Sequence, residues 1–135
     1  MKANYIDYSE TNSFSPAIIR YLEHDPDLEP FCSFKADIDG FRKLIDSKKQ
    51  GCNRQILVET LNEQYSRLAQ PVPITVRHNI DLLLQKDTYT VTTGHQLNLF
   101  TGPLYFIFKI VTAINLAREL KINFPDKNFV PVYWM

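Results

Sequence analysis

The sequence predicts an α/β fold in which a helical region, residues 1–86, precedes one strand–helix–strand unit, residues 87–135. In the first region, apolar residues recur at helical spacing between residues that cap or break helices. In the second region, two β-branched and aromatic runs flank one long apolar helix. The composition agrees, because 44% apolar and 22% charged residues in a chain of 135 residues are typical of one folded domain and exclude a low-complexity chain.

Four helices are predicted in the first region. Ser15 followed by Pro16 places a proline in the first turn of the first helix, where its missing N–H costs nothing. Asp37 and Asn53 are expected N-cap residues of the second and third helices, each of which carries one apolar stripe. The predicted helices cover residues 17–23, 38–49, 54–69 and 74–85.

The strand–helix–strand unit is predicted to begin with residues 89–93, whose sequence Tyr-Thr-Val-Thr-Thr is typical of a strand. Gly94 is predicted to follow this strand as a breaker. A helix from about residue 103 to about residue 122 follows, and after a turn the apolar run 129–134 forms the second strand. A crossover through a helix makes the two strands parallel and the connection right-handed. Because the helix is apolar on all sides, its aromatic residues are expected in the core. These residues are Tyr105, Phe106 and Phe108.

Charge and cysteine content exclude several partners and locations. Fifteen basic and fifteen acidic residues cancel, so neither nucleic acid nor an anionic membrane is expected as a partner. Cys32 and Cys52 belong to no metal-binding or disulfide-rich pattern, which favours a reducing compartment. The acidic and aromatic start differs from a signal peptide, and no apolar stretch reaches the roughly 18 residues that a membrane helix needs. We therefore expect a cytoplasmic protein.

The segment from Thr93 to Tyr105 joins the first strand to the long helix and is predicted to bind a ligand. In open parallel sheets, ligands bind beyond the carboxyl ends of the strands, where this segment begins. It leads to a helix N-terminus, whose free N–H groups favour phosphate or a carboxylate, and a glycine there lets a ligand approach the backbone. The candidate substrate- or anion-binding residues are Thr93, Gly94, His95, Gln96, Asn98, Gly102 and Lys109.

The polar candidates also have purely structural interpretations. His95 could donate to a substrate anion or act as an acid or base, or it could bind only the backbone of the loop. Gln96 and Asn98 could orient a ligand or satisfy backbone groups. Lys109 could bind the ligand, or it could extend its ammonium from a buried helix to solvent.

Several chemistries are absent from the sequence pattern. The segment contains neither G-x-G-x-x-G nor G-x-x-x-x-G-K-[ST], so it is not a dinucleotide or P-loop site. No residues have metal-ligand spacing, and no Ser/His/Asp or Cys/His arrangement is present. We therefore predict no metal and leave the catalytic residues unassigned. The remaining histidines, His24 and His78, are expected at the surface or at caps.

The same segment resembles the family of bacillithiol biosynthesis cysteine-adding enzymes. The resemblance is carried by residues 92–105, Lys109 and the run Val-Pro-Val-Tyr-Trp at 130–134, and it extends to Phe-Ser-Pro at 14–16 near the start. It thus covers essentially the whole chain. The matching positions of the candidate segment are Gly94, Gln96, Gly102, Pro103, Tyr105 and Lys109. Two positions depart from the pattern: most members have Gln in place of His95 and Gly in place of Asn98.

The resemblance implies a Rossmann-like core preceded by helices and a ligase of the bacterial cytoplasm. The implied reaction is the last step of bacillithiol synthesis, which joins cysteine to the amine of glucosaminyl-malate through an amide bond. The implied partners are therefore these two small molecules, and the family also suggests a homodimer in the full-length form. The resemblance leaves open whether ATP or another adenine nucleotide is the cofactor.

The length of the family's chains suggests how this sequence relates to a whole enzyme. They are several times longer and continue after the Val-Pro-Val strand with an acidic, histidine-containing segment. We therefore expect an N-terminal fragment with an incomplete domain, inactive alone, whose catalytic residues lie beyond Met135. The alternative is a non-catalytic nucleotide- or anion-binding or oligomerisation module with a partial Rossmann-like fold. The codons that follow residue 135 distinguish the two.

Overall fold

The protein is described by a computed structural model that covers residues 4–49, 51–96 and 102–134. Contacts group the chain into two compact units, Met1–Lys48 and Lys49–Met135. These units do not test the predicted division into domains 1–86 and 87–135, which stays a prediction.

The first unit contains two α-helices and two single turns of 3-10 helix. The α-helices are α1, Pro16–Leu22, and α2, Ile38–Ser47, and the 3-10 turns are Tyr8–Thr11 and Pro26–Leu28. The predicted cap of α2 is confirmed, because the Asp37 carboxylate accepts a hydrogen bond of 2.7 Å from the backbone N–H of Gly40. That carboxylate satisfies one of the donors that every helix start leaves unpaired.

An ion-pair cluster joins the end of α1 to the following 3-10 turn. Nε of Arg20 lies 2.6 Å from the Asp25 carboxylate, and one of its terminal nitrogens lies 2.7 Å from Asp27. The hydrogen bond from Arg20 holds the pKa of Asp25 below its ordinary value, and the same bond raises the pKa of Arg20. Because a lowered carboxyl pKa stabilises the fold only while the group is ionised, this contribution is present near neutral pH and is lost on acidification.

The second unit begins with two helices, α3 at Arg54–Ser66 and α4 at Ile74–Leu82. The predicted cap of α3 is confirmed, since the Asn53 side chain accepts a hydrogen bond from the backbone N–H of Ile56. Both helices end about one turn earlier than predicted. At the end of α3 the N–H of Arg67 bonds to the carbonyl of Gln64, three residues back, so the last turn tightens and the helix stops before the prolines.

A strand–helix–strand unit follows, as predicted: β1 at Thr88–Gly94, α5 at Leu104–Asn123 and β2 at Asn128–Trp134. The strands are parallel, and Thr88 faces Asn128 at one end of the ladder while Gly94 faces Trp134 at the other. The predicted end of β1 was one residue short, because Gly94 itself pairs with β2 and is the last residue of the strand. The α/β class and the parallel pairing are therefore confirmed.

The two faces of this sheet are covered by different helices. On one face Val130 of β2 packs into a buried cluster with Val58 of α3, Ile80 of α4 and Leu83. On the other face α5 packs against both strands, with Phe106 of the helix edge-on to Tyr133 of β2 at a centroid distance of 5.3 Å. The buried residues of α5 lie along one stripe and are Ala113, Ala117 and Leu120. The second unit is thus a three-layer arrangement around two strands.

Two residues expected in the core lie largely outside it. Tyr105 is 49% exposed and Phe108 is 62% exposed, whereas Phe106 is half-buried. The two described strands cover only one stripe of α5, so an apolar composition on all sides does not place every face of the helix in the core. No helix among the described residues is long and apolar enough to cross a membrane.

Arg54, the first residue of α3, holds the helices to the start of β1. One of its terminal nitrogens donates to the carbonyl of Leu83 at 2.9 Å, and the other donates to the carbonyl of Thr88 at 3.0 Å. The hydroxyl of Thr88, a buried residue, donates in turn to the carbonyl of Leu82. These bonds fix the point where the chain leaves α4 and enters the sheet. The guanidinium lies at the C-terminal end of α4, the end of a helix that favours positive charge.

Candidate functional site

The predicted ligand-binding residues gather where β1 ends and α5 begins. Thr93 and Gly94 are the last two residues of β1, and His95 and Gln96 follow them. Gly102 lies two residues before the start of α5, and Lys109 lies on the second turn of that helix. Asn98 is outside the described residues.

His95 contacts both its own loop and the start of α5. Its Nδ1 lies 3.0 Å from the backbone oxygen of Gln96, and its Nε2 is hydrogen-bonded to the hydroxyl of Tyr105. The two rings also stack, with centroids 5.0 Å apart and planes inclined by 30°. A hydrogen bond and a stacked contact together orient the imidazole more narrowly than either alone would.

Lys109 points back toward the end of β1. Its Nζ donates to the carbonyl of Gly94 at 3.3 Å and lies 5.3 Å from the centroid of the Tyr105 ring, a distance typical of a cation–π contact. Tyr105 and Lys109 are four residues apart on α5, so they lie on the same face of the helix. The ammonium therefore lies over the Tyr105 ring, which also stacks on the imidazole of His95.

Both glycines of the site have a steric or conformational reason to be glycine. A Cβ on Gly94 would lie 2.7 Å from Nε1 of Trp134 and 2.8 Å from the Trp134 carbonyl oxygen, both closer than van der Waals contact allows. Gly102 has a φ of 64°, in the left-handed region that glycine adopts without steric cost. The indole of Trp134 thus lies directly against the end of β1.

A cavity of about 410 Å³ lies on the opposite face of the sheet, between α3, α4 and β2. Trp134 lines it near Gly94, and the polar side chains of Gln64, Tyr65 and Asn79 line its helical side. Its volume falls in the range of small-molecule sites.

The arrangement combines one cation with an imidazole–phenol pair at an accessible strand end. A lysine ammonium attracts carboxylates and phosphates, and a hydrogen-bonded imidazole–phenol pair can move a proton. Within residues 4–49, 51–96 and 102–134, no three His, Cys, Asp or Glu side chains come close enough together to hold a metal ion.

Sequence reasoning missed Tyr105 as a member of the site, and it missed the contact of Trp134 with Gly94. Tyr105 was assigned to the core, although its position one turn before Lys109 on the same helix face was a usable signal. Trp134 carried no comparable signal, because its contact with Gly94 depends on the register of the two strands.

Comparison with known proteins identifies similar sequences over the whole chain. The family model described as "Bacillithiol biosynthesis BshC, N-terminal Rossmann-like domain" matches residues 1–135. Proteins named "Putative cysteine ligase BshC" are 48% identical in Christiangramia forsetii, 44% in Flavobacterium psychrophilum and 42% in Flavobacterium johnsoniae, each over 100% of this chain. The matched regions are 25%, 26% and 26% of those proteins, so the chain spans about a quarter of the length of the curated relatives that it matches.

Proposed function

Because the chain belongs to the bacillithiol biosynthesis BshC family, we propose that it supplies the N-terminal part of a ligase that joins cysteine to the amine of glucosaminyl-malate. The observation that carries the proposal is the match of the family's N-terminal Rossmann-like domain to residues 1–135. The product is an amide and completes bacillithiol. We place the enzyme in the cytoplasm, where both small-molecule substrates are available, and we propose a homodimer for the full-length protein.

The chemistry of the substrates fits the residues at the end of β1. Cysteine carries a carboxylate, and glucosaminyl-malate carries the carboxylates of its malate part. The ammonium of Lys109 is held there by the carbonyl of Gly94 and the ring of Tyr105, so an anion can bind beside it at small entropic cost. We therefore assign Lys109 to binding a substrate carboxylate, with Gly102 leaving room for the ligand near the backbone.

The rest of the ligase site is proposed to come from the parts of the family's proteins that this chain does not span. The chain corresponds to a quarter of those proteins, and amide formation needs groups that hold two substrates and activate a carboxyl. We therefore expect residues 1–135 alone to show no ligase turnover. A non-catalytic binding module would also show no ligase turnover. Only an experiment on the full-length protein therefore distinguishes the ligase from the non-catalytic alternative.

The direct test is deletion of the full gene in a bacterium that makes bacillithiol, with both thiol and precursor measured. We expect bacillithiol to disappear and glucosaminyl-malate to accumulate, and we expect the intact gene to restore both levels. Unchanged bacillithiol in the deletion strain would refute the ligase and favour the non-catalytic alternative.

A second test addresses the anion site in the purified full-length protein. Lys109→Gln removes the ammonium beside the end of β1, and we expect the KM for the substrate whose carboxylate it binds to rise about tenfold, which equals ~1.4 kcal/mol. Arg118→Gln removes one positive charge from an exposed position further along α5 and is the matched control, with no change expected. Equal KM values for the Lys109→Gln and control variants would remove Lys109 from the site.

A further inference from the structure

We propose that Tyr105 and His95 form a proton relay in which the Tyr105 oxygen takes a proton from the substrate amine while its own proton passes to Nε2 of His95. This inference rests on the proposed function, because the amine of glucosaminyl-malate is the group that loses a proton when the amide forms. Tyr105 is the catalytic residue of the relay, since it would touch the substrate. His95 acts through Tyr105.

The hydrogen bonds of His95 fix the direction of the relay. A backbone carbonyl can only accept, so the nitrogen that faces the oxygen of Gln96 at 3.0 Å, Nδ1, carries the ring hydrogen in neutral imidazole. Nε2 then presents a lone pair, and the bond that joins it to Tyr105 is donated by the phenol. The carbonyl thereby orients the imidazole as a proton acceptor, in the way that a third group orients the base of a catalytic triad.

The position and surroundings of the pair suit proton transfer to a bound substrate. Tyr105 is about half exposed and lies in the first turn of α5. Within the described parts of the chain, the charged side chain in contact with the pair is that of Lys109, from the same helix. Among the described residues, His95 also contacts the apolar ring of Phe106 and the carbonyl of Gln96. The ammonium stabilises the negative charge that develops on the phenol oxygen during transfer.

The step balances without any oxidant or reductant. The amine nitrogen bonds to the carbonyl carbon of an activated cysteine carboxyl, of the acyl-phosphate or acyl-adenylate class, and the phosphate leaves with the electron pair of the broken C–O bond. The amine proton moves to the oxygen of Tyr105, and the phenol proton moves to Nε2 of His95. The imidazolium then returns its proton to water, which restores the pair.

The test uses two variants of the full-length protein, assayed with cysteine and glucosaminyl-malate over a range of pH. Tyr105→Phe removes the group that meets the substrate, so we expect kcat to fall about 100-fold with little change in KM, the usual effect of losing a general base. The relay is a feature of this chain, because most members of the family have Gln in place of His95. His95→Gln keeps an acceptor for the phenol but cannot take its proton. We therefore expect a lower kcat and loss of the decline in rate on the acid side. Tyr89→Phe, at the opposite end of β1, is the control and should match the wild type.

Two results would overturn the relay while leaving the ligase intact. One is full turnover by Tyr105→Phe, and the other is an unaltered pH profile in His95→Gln. If the wild-type protein has no ligase turnover, the proposed function fails instead, and ¹⁵N NMR of labelled histidine still decides the geometry. A ring hydrogen on Nδ1 of His95 supports the relay, and a ring hydrogen on Nε2 overturns it.

Discussion

Backbone carbonyl oxygens hold the guanidinium of Arg54, although its buried Nε has no hydrogen-bond partner among the described residues. Its two terminal nitrogens donate to backbone oxygens that the end of α4 and the start of β1 leave available. Helix C-termini leave up to four carbonyls without intrahelical partners. The planar guanidinium of an arginine has several N–H donors and can bond to more than one of these carbonyls. The sequence places Arg54 only at the start of an amphipathic helix, where an arginine usually faces solvent. Its partners lie about thirty residues away and become visible only in three dimensions.

Replacement of Arg54 by alanine should destabilise the second unit. The carbonyls of Leu83 and Thr88 lose their partly buried hydrogen bonds from a charged donor. We therefore expect the free energy of unfolding to fall by about 2 kcal/mol. Arg54→Lys should recover only part of this loss, because one ammonium cannot reproduce the two-armed fork. Urea denaturation followed by circular dichroism measures both changes.

The matched control is Arg67→Ala, which removes an exposed arginine paired with Glu63 one turn away on α3. Exposed pairs of this kind are worth about 0.3–0.5 kcal/mol, so its unfolding curve should nearly coincide with that of the wild type. Equal losses for the Arg54→Ala and Arg67→Ala variants would contradict the role given to Arg54.

At the scale of elements, the sequence predicts where the helices α2, α3 and α4 begin better than where they end. The side chains of Asp37 and Asn53 each accept from the backbone N–H three residues on, so the information needed for a helix start is local. Where α3 ends depends on whether the rest of the unit would pack against a further turn of the helix. No single residue of the sequence encodes such a contact. The residue type of Gly94 predicts that it lies outside β1, yet its pairing with β2 makes it the last residue of the strand.

The candidate site follows the same division between local and distant information. The segment itself was predictable, because it is contiguous in sequence and follows a parallel strand. The pairing of His95 with Tyr105 spans ten residues and depends on how the chain returns from β1 into α5. The contact of Trp134 with Gly94 depends on strand register. Side chains that meet across elements are therefore the part of the site that sequence patterns do not reveal.

Gly94→Ala tests whether the end of the ladder needs a residue without a side chain. The new methyl group would lie under 3 Å from both the indole and the carbonyl of Trp134, so the strands must separate or the indole must move. Overpacking of this kind typically costs about 1–3 kcal/mol. We expect a lower free energy of unfolding and altered fluorescence of Trp134, which is the only tryptophan of the sequence.

Gly51→Ala is the control for this substitution, because a Cβ there meets nothing within 4 Å. Its stability should equal or slightly exceed that of the wild type, since alanine reduces the freedom of the unfolded chain. Wild-type stability and fluorescence in Gly94→Ala would mean that the indole does not rest against the strand end.

At the scale of the second unit, two different packings meet at one pair of strands. Val130 is 4% exposed and belongs to the cluster formed with α3 and α4, while its neighbour Phe129 packs against Phe124 beyond the end of α5. Alternation along β2 sends successive side chains to opposite faces, so this strand takes part in both layers. The site at the end of β1 and the cavity beside Trp134 lie on the two faces of the same sheet, and their geometry depends on how firmly the strands are held.

Val130→Ala therefore tests whether the layers unfold together. It removes two buried methyl groups from the cluster, and we expect a loss of about 2 kcal/mol in the free energy of unfolding, as for other deletions in packed cores. If the helices and the sheet form one cooperative unit, slowly exchanging amides in α3, α4 and β2 should lose protection by the same free energy in native-state hydrogen exchange. Ile74→Ala, at a position of α4 that is 83% exposed, should change neither stability nor exchange by more than about 0.5 kcal/mol. Faster exchange confined to β2 would show instead that the helices hold together without the sheet, and the support for the candidate site would then come from α5 alone.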